Sequence, residues 1–110
     1  MPNAITPRRA PRKPVRLPAT CRTQSGLRDD CQISDISAHG CRLNTHWLKI
    51  SIGARVIIRP QGLEGLVGRV RWIEGDDVGV EFDSPLYQPV VDHLSALHAA
   101  GEPIRVTTAR

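Results

Sequence analysis

Strict alternation along two neighbouring segments constrains the fold of this chain more than any other feature. Residue type alternates with a period of two over residues 67–72 and again over residues 78–82. A period of two is typical of a β-strand with one buried side. The acidic segment between them, residues 74–77, contains a glycine and predicts a hairpin turn. Gly68 and Gly79 lie inside these strands and indicate a bulge, a barrel corner or a close approach of two backbones.

Turn residues divide the preceding part of the chain into further short segments of the same kind. These segments are bounded by Gly, Pro, Asn, Asp and Ser, as strands of small sheets usually are. The six predicted strands are 15–23, 31–36, 40–44, 54–59, 66–73 and 78–82. We therefore expect a mainly β fold, a six-stranded antiparallel β-barrel.

After Asp83 the apolar pattern changes to helical spacing. Pro89 suits the first helical turn and Gly101 suits the stop. The apolar stripe comprises Val90, Val91, Leu94, Leu97 and His98. This predicts one amphipathic C-terminal helix of about 12 residues that packs on the barrel. We assign packing roles to His93 and His98, and we expect residues 101–110 to form an unpacked, disordered tail.

The charge of the chain is distributed unevenly. With 110 residues it has room for a single domain, and its formal net charge is +4. Residues 1–28 contain seven basic residues and no acidic one, so the remaining 82 residues carry −3. Because residues 1–14 are rich in proline and arginine, we expect a flexible basic N-terminal arm there. The barrel and helix are expected over 15–100.

Composition and spacing exclude several classes of function. No apolar run approaches about 18 residues, and the N-terminus has no apolar secretory stretch, so we expect a cytoplasmic protein without membrane insertion. The spacing of Cys21, Cys31 and Cys41 favours buried structural thiols over disulfides or a metal site. No nucleophile motif or phosphate-binding glycine loop supports an enzyme, and no cofactor is expected. An aromatic content of 4% argues against a platform for single-stranded nucleic acid.

Two motifs occur in a set order at the start of the chain. Residues 8–12 contain Arg-x-x-x-Arg, and residues 35–40 read Asp-x-Ser-x-x-Gly. Together they resemble the signature of the PilZ domain family, and the resemblance extends over about residues 8–97. Further similar segments are 40–43, 68–72 and 79–83. The resemblance implies a six-stranded barrel with a C-terminal helix. It also implies a bacterial receptor that binds cyclic di-GMP and acts on a downstream effector protein.

The residue types of the two motifs suit complementary edges of guanine. An arginine fork can bind the O6 and N7 acceptors of guanine, a phosphate or a base face. A carboxylate accepts hydrogen bonds from the Watson–Crick donors, while a serine hydroxyl can donate or accept. Gly40 permits a positive φ or close backbone approach. The candidate ligand-binding residues are Arg8, Arg9, Arg12, Asp35, Ser37 and Gly40, with Arg9 as an accessory cation. We expect the arm to become ordered as it closes over the ligand.

Several alternatives remain open from the sequence. Residues 12–16 also satisfy Arg-x-x-x-Arg, so Arg12 and Arg16 could replace Arg8 and Arg12. Asp-x-Ser is also an ordinary turn sequence. A PilZ-like adaptor without ligand, or a basic barrel that binds nucleic acid nonspecifically, would explain part of the pattern. Trp47 and Trp72 are interpreted as core or barrel-rim residues.

Overall fold

The computed structural model describes residues 12–45 and 50–99. Arg8, Arg9, Trp47 and the predicted tail 101–110 lie outside these residues. The described elements are β1 Lys13–Thr23, β2 Arg28–Ile36, β3 Gly40–Asn44, β4 Arg55–Pro60, β5 Leu66–Glu74, β6 Asp77–Phe82 and α1 Gln88–Leu97. The strands form a closed barrel in the order β1-β2-β3-β6-β5-β4, with every neighbouring pair antiparallel. The predicted six-stranded barrel with a C-terminal helix is confirmed.

The strand ends differ from the predicted ones mainly around the first hairpin. Pairing of β1 with β2 continues to Arg22 opposite Arg28, so that β2 begins three residues earlier than predicted. From the sequence, the polar pair Asp29 and Asp30 is predicted to lie in the turn between the first two strands. The structure instead pairs both residues with β1, because the hairpin closes further along, where Gly26 has a φ of 99°.

This difference changes the distribution of positive charge. Of the seven basic residues in 1–28, four lie within strands: Lys13, Arg16, Arg22 and Arg28. The positive charge of residues 1–28 is therefore not confined to the predicted arm 1–14, and Lys13 of that range belongs to a strand. The four residues extend over the barrel surface, and β1 itself begins at Lys13, two residues before the predicted strand.

Inward-facing side chains of all six strands fill the barrel. Fully buried examples are Leu17, Ile33, Leu43, Ile58 and Val70. Cys21 and Cys41 are buried in the same core. Burial raises the pKa of Cys21 to about 11 and that of Cys31 to about 12, and it raises the pKa of Cys41 still further. These thiols are therefore protonated at neutral pH and behave as packing groups.

Helix α1 follows the barrel and packs against β1 through Val91 and Leu94. It ends at Leu97, well before Gly101, because the chain turns into contact with β1. The backbone N–H of Arg16 donates to the carbonyl oxygen of His98 at 2.7 Å, and Ala99 forms a bridge with Val15. Within residues 12–45 and 50–99, no helix has the length and apolar character needed to cross a membrane.

Two of the predicted helix contacts are wrong. Leu97 was assigned to the packed stripe but is 62% exposed, and His93 was assigned a packing role but is also exposed. Leu97 lies in the last turn, whereas His93 lies between Val91 and Leu94 on the solvent-facing side of α1. The side chains that reach the barrel lie in its central turn, and the last turn extends beyond the surface it covers.

Candidate functional site

Asp35 lies near the end of β2, between β1 and β3. Pro14 of β1 is opposite it on one side and Arg42 of β3 on the other. The regular pairing shifts on both sides, between Pro14 and Leu17 in β1 and between Ile33 and Asp35 in β2. These irregularities bring Arg12, immediately before β1, to the side chain of Asp35.

Arg12 and Asp35 are the two motif residues of opposite charge that the structure brings together. Nη2 of Arg12 lies 3.4 Å from Oδ1 of Asp35, and the two side chains are 51% and 21% exposed. Oδ1 itself is buried, yet none of the described donors is aligned to form a hydrogen bond with it. A buried carboxylate oxygen without a hydrogen bond is costly, so this atom is suited to accept one from a ligand or from a reoriented arginine.

Ser37 forms the turn that joins β2 to β3. Its hydroxyl donates to the carbonyl oxygen of Gly40 at 3.4 Å and accepts from the backbone N–H of His39 at 3.2 Å. Its own N–H donates to the same Gly40 oxygen at 2.8 Å, and the side chain is buried. The reading of Asp-x-Ser as a turn sequence is thus correct for the serine. Its hydroxyl holds the turn, and contact with a ligand remains a prediction.

The same turn is attached to the chain that follows the barrel. The N–H of Phe82 donates to the carbonyl oxygen of His39 at 2.8 Å, and the N–H of Leu86 donates to that of Ala38 at 2.7 Å. These bonds come from the end of β6 and from the segment before α1. The turn is therefore a fixed support for Asp35.

Gly40 is required because two backbones approach closely. A Cβ at this position would overlap the carbonyl oxygen of Val80 in the neighbouring strand β6. Its φ is not among the positive values, which belong to Gly26, Gly53, Gly62 and Gly75. Of the two reasons expected for this glycine, close approach is confirmed and positive φ is wrong.

Arg42 and Trp72 extend the outer surface beside Asp35. The guanidinium carbon of Arg42 lies 5.6 Å from the centroid of the Trp72 ring, a cation–π distance. Nη2 of Arg42 donates to Oδ2 of Asp77 at 2.7 Å, and Asn44 donates to Oδ1 of the same carboxylate at 3.1 Å. The hydrogen bond from Arg42 is the main cause of a lowered pKa at Asp77, with that from Asn44 second. Arg42 is consequently held as a cation over an aromatic ring.

Arg42 and Trp72, which form this surface, are not among the predicted site residues. Trp72 was assigned to the core or the rim, but it is half-buried on the outer face, across from Gly79. The sequence contains a sign of this arrangement. A glycine that pairs with a tryptophan across a hairpin has no side chain and so leaves space for the indole ring. Arg42 could have been identified by alternation, since its neighbours Cys41 and Leu43 both face the core.

Within the part of the chain that the structure describes, Asp35 forms no ion pair with any of the remaining predicted residues. Arg8 and Arg9 lie outside that part of the chain. Arg16, the alternative partner of Arg12, is exposed in β1, and its backbone N–H bonds to His98. The register of the Arg-x-x-x-Arg motif therefore stays a prediction, although Arg12 belongs to both registers.

Comparison with known proteins gives one clear result. The sequence model of the PilZ domain matches residues 6–99, which is most of the chain. It includes both motifs, all six strands and α1. No curated protein matches the chain significantly.

Proposed function

The chain belongs to the PilZ domain family, and from that premise we propose that it is a receptor domain that binds cyclic di-GMP and signals to an effector protein. PilZ domains are generally cyclic di-GMP-binding domains and are typically not enzymes. The observation that carries the proposal is the pairing of Arg12 with Asp35, whose buried Oδ1 lacks an aligned donor among the described residues.

The surface chemistry supports a guanine dinucleotide as ligand. Asp35 supplies an acceptor for the Watson–Crick donors of guanine, and Arg12, half exposed, supplies a fork for O6 and N7 or for a phosphate. Arg42 lies opposite Asp35 in the β2–β3 pairing and stacks on Trp72. A second cation and an aromatic face are therefore next to the first pair, where they suit a phosphate and a base face.

Ser37 and Gly40 act in this proposal mainly as positioning residues. The hydroxyl of Ser37 already bonds within the turn, and Gly40 permits the close approach of β3 to β6. Both therefore fix the backbone from which Asp35 extends. Arg8 and Arg9 complete the proposal as residues of an arm that closes over the bound ligand.

Titration calorimetry tests the proposed ligand. We expect saturable binding of cyclic di-GMP and none of comparable strength for GTP, cyclic GMP or a short oligonucleotide. Asp35→Asn keeps the size of the side chain but removes its charge and one acceptor. We expect it to raise the Kd at least about tenfold, since a hydrogen bond to a charged group contributes about 1.5–3 kcal/mol.

Asp92→Asn is the matched control for that variant. Asp92 is an exposed residue of α1, and its replacement changes the net charge by the same amount. The control should bind as the wild type does. Absence of wild-type binding would contradict the receptor function and leave an adaptor, whereas stronger binding of the oligonucleotide would favour the nucleic-acid alternative.

Two further variants distinguish the registers of the arginine motif. If Arg8 and Arg12 bind the ligand, Arg8→Ala weakens binding and Arg16→Ala does not. The opposite result would assign the site to Arg12 and Arg16.

Hydrogen exchange measured with and without ligand tests closure of the arm. Protection of residues 6–12 should rise at saturation, and unchanged protection would overturn that step.

A further inference from the structure

A groove crosses the barrel surface where β1, β2 and β4 meet. Ala19 of β1 pairs with Cys31 of β2 on one side and with Pro60 of β4 on the other. The groove has a volume of about 640 Å³, within the range of roughly 300–1,000 Å³ that is usual for ligand sites. Its apolar lining is formed by Pro18, Ala19, Cys31, Pro60 and Leu63. It lies away from Arg42 and Trp72, which are on β3 and β5.

The charges beside the groove are asymmetric. Arg59 lines it, is exposed, and forms no ion pair with any described residue. Asp30 lines the opposite side, since both residues flank Thr20 in neighbouring strands. Strand spacing of about 4.8 Å separates their backbones by about 10 Å, too far for direct pairing without extended side chains.

Arg22 adds a second free cation near the Arg59 side. It is exposed, lies opposite Ile57 of β4, and likewise has no acidic partner within residues 12–45 and 50–99. The neighbouring Arg55 is different, because it is bound to Asp83. Available positive charge is therefore concentrated at one edge of an apolar groove.

We propose that this groove is a docking surface for an acidic protein segment, one with a large apolar anchor residue followed by carboxylates. The anchor lies against Pro18 and Leu63, which remain accessible, and the carboxylates face Arg59 and Arg22. Asp30 disfavours the reverse orientation by repulsion. A nucleic acid carries phosphates at regular intervals and would place some of them against Asp30, so the surface favours a protein partner. The assignment does not depend on cyclic di-GMP.

Amide chemical shifts of the full chain provide the test, with an acetylated, amidated peptide Phe-Glu-Asp-Glu-Asp as the probe. Two matched peptides replace the four acids by their amides, or phenylalanine by alanine. We expect the first peptide to shift the amides of Thr20, Cys31, Arg59 and Leu63 at peptide concentrations of about 1–5 mM. The two matched peptides should shift them much less.

Two substitutions at exposed positions test the surface without changing the core of the barrel. Arg59→Ala should raise the Kd of the acidic peptide about threefold, as expected for an exposed ion pair. Gln61→Glu should weaken it similarly by adding a negative charge to the groove. Ala96→Glu, on the exposed side of α1, changes the net charge as much as either variant and should have no effect.

Four results would overturn the proposal. They are no localised shift at about 5 mM peptide, equal shifts with the amide peptide, larger shifts with a short DNA duplex, and shifts on dilution without peptide that indicate self-association. Calorimetry with cyclic di-GMP separates this outcome from the proposed receptor function. The groove residues are not those proposed to bind the nucleotide, so either proposal can fail while the other holds.

Discussion

At the scale of single residues, Gly79 determines where Trp72 can lie. The two residues are opposite each other in the β5–β6 pairing, and a Cβ at position 79 would overlap the indole ring. We predict that Gly79→Ala destabilises the fold by about 2 kcal/mol, because the ring must leave its place under Arg42. Urea denaturation of the wild type and the variant measures the difference.

A double-mutant cycle separates this overlap from the general effect of alanine in a strand. In a Trp72→Ala background the ring is absent, and Gly79→Ala should then cost less than about 0.5 kcal/mol. An equal cost in both backgrounds would mean that the ring does not need the space at position 79.

The carboxylate of Asp77 makes a pH-dependent contribution to stability. Its pKa is lowered by hydrogen bonds from Arg42 and then from Asn44, so the folded chain takes up this proton less readily than the unfolded one. The contribution is complete above the ordinary aspartate pKa of about 3.9 and is lost as pH falls through the lower, folded value. Because the pair is largely exposed, solvent screening keeps this contribution small.

An NMR titration of the Asp77 carboxyl group checks this directly. Its midpoint should lie below the ordinary value in the wild type and move towards that value in Arg42→Ala. A wild-type midpoint at or above about 3.9 would contradict the proposed hydrogen bonding.

The residue types of the candidate site could be predicted, but their contacts could not. Arg12 and Asp35 stand 23 positions apart, and only the irregular pairing at Pro14 and Ile33 brings them within 3.4 Å. A bulge changes the direction of a side chain without a distinct mark in the sequence. For the same reason the alternating pattern indicated Arg42 and Trp72 as strand residues but not as neighbours.

At the scale of elements, α1 is held to β1 by its central turn. Leu94 is 3% exposed and Leu97 is 62% exposed, although both are leucines of the same helix. We predict that Leu94→Ala costs about 2–4 kcal/mol through lost burial and a residual cavity. Leu97→Ala should change the free energy of unfolding by less than about 0.5 kcal/mol. Urea denaturation compares the two variants. Equal losses in the free energy of unfolding would contradict the observation that Leu94 packs on the barrel and Leu97 does not.

The sequence pattern predicted every strand and the helix. It misplaced the ends of elements where tertiary contacts determine the last residue. The period of two located β5 and β6 to within one residue at each end. The end of α1 at Leu97 depends instead on the bond from Arg16 to the carbonyl of His98, which joins residues 82 positions apart. The local sequence pattern contains no information on such a contact. It therefore predicts that the helix ends at Gly101.

At the scale of the whole molecule, the barrel separates two kinds of positive surface. Arg12 and Arg42 lie near carboxylates on the β1–β2–β3 side, whereas Arg22 and Arg59 lie free beside the apolar groove near β4. The division of the sequence into a basic stretch 1–28 and a negatively charged remainder does not reveal this separation. A closed sheet distributes residues that are near in sequence around its circumference, so charge must be assigned to sides of the barrel.

The separation predicts how binding depends on salt. Cyclic di-GMP carries two phosphate charges, so between about 50 and 200 mM NaCl its Kd should rise less than about tenfold. A nucleic acid that contacted six or more arginines over both surfaces would lose roughly a thousandfold in affinity over the same range. Calorimetry at several salt concentrations measures the slope. A loss of more than about a hundredfold for cyclic di-GMP would mean that charges well beyond Arg12 and its neighbours control binding, against a local site at Asp35.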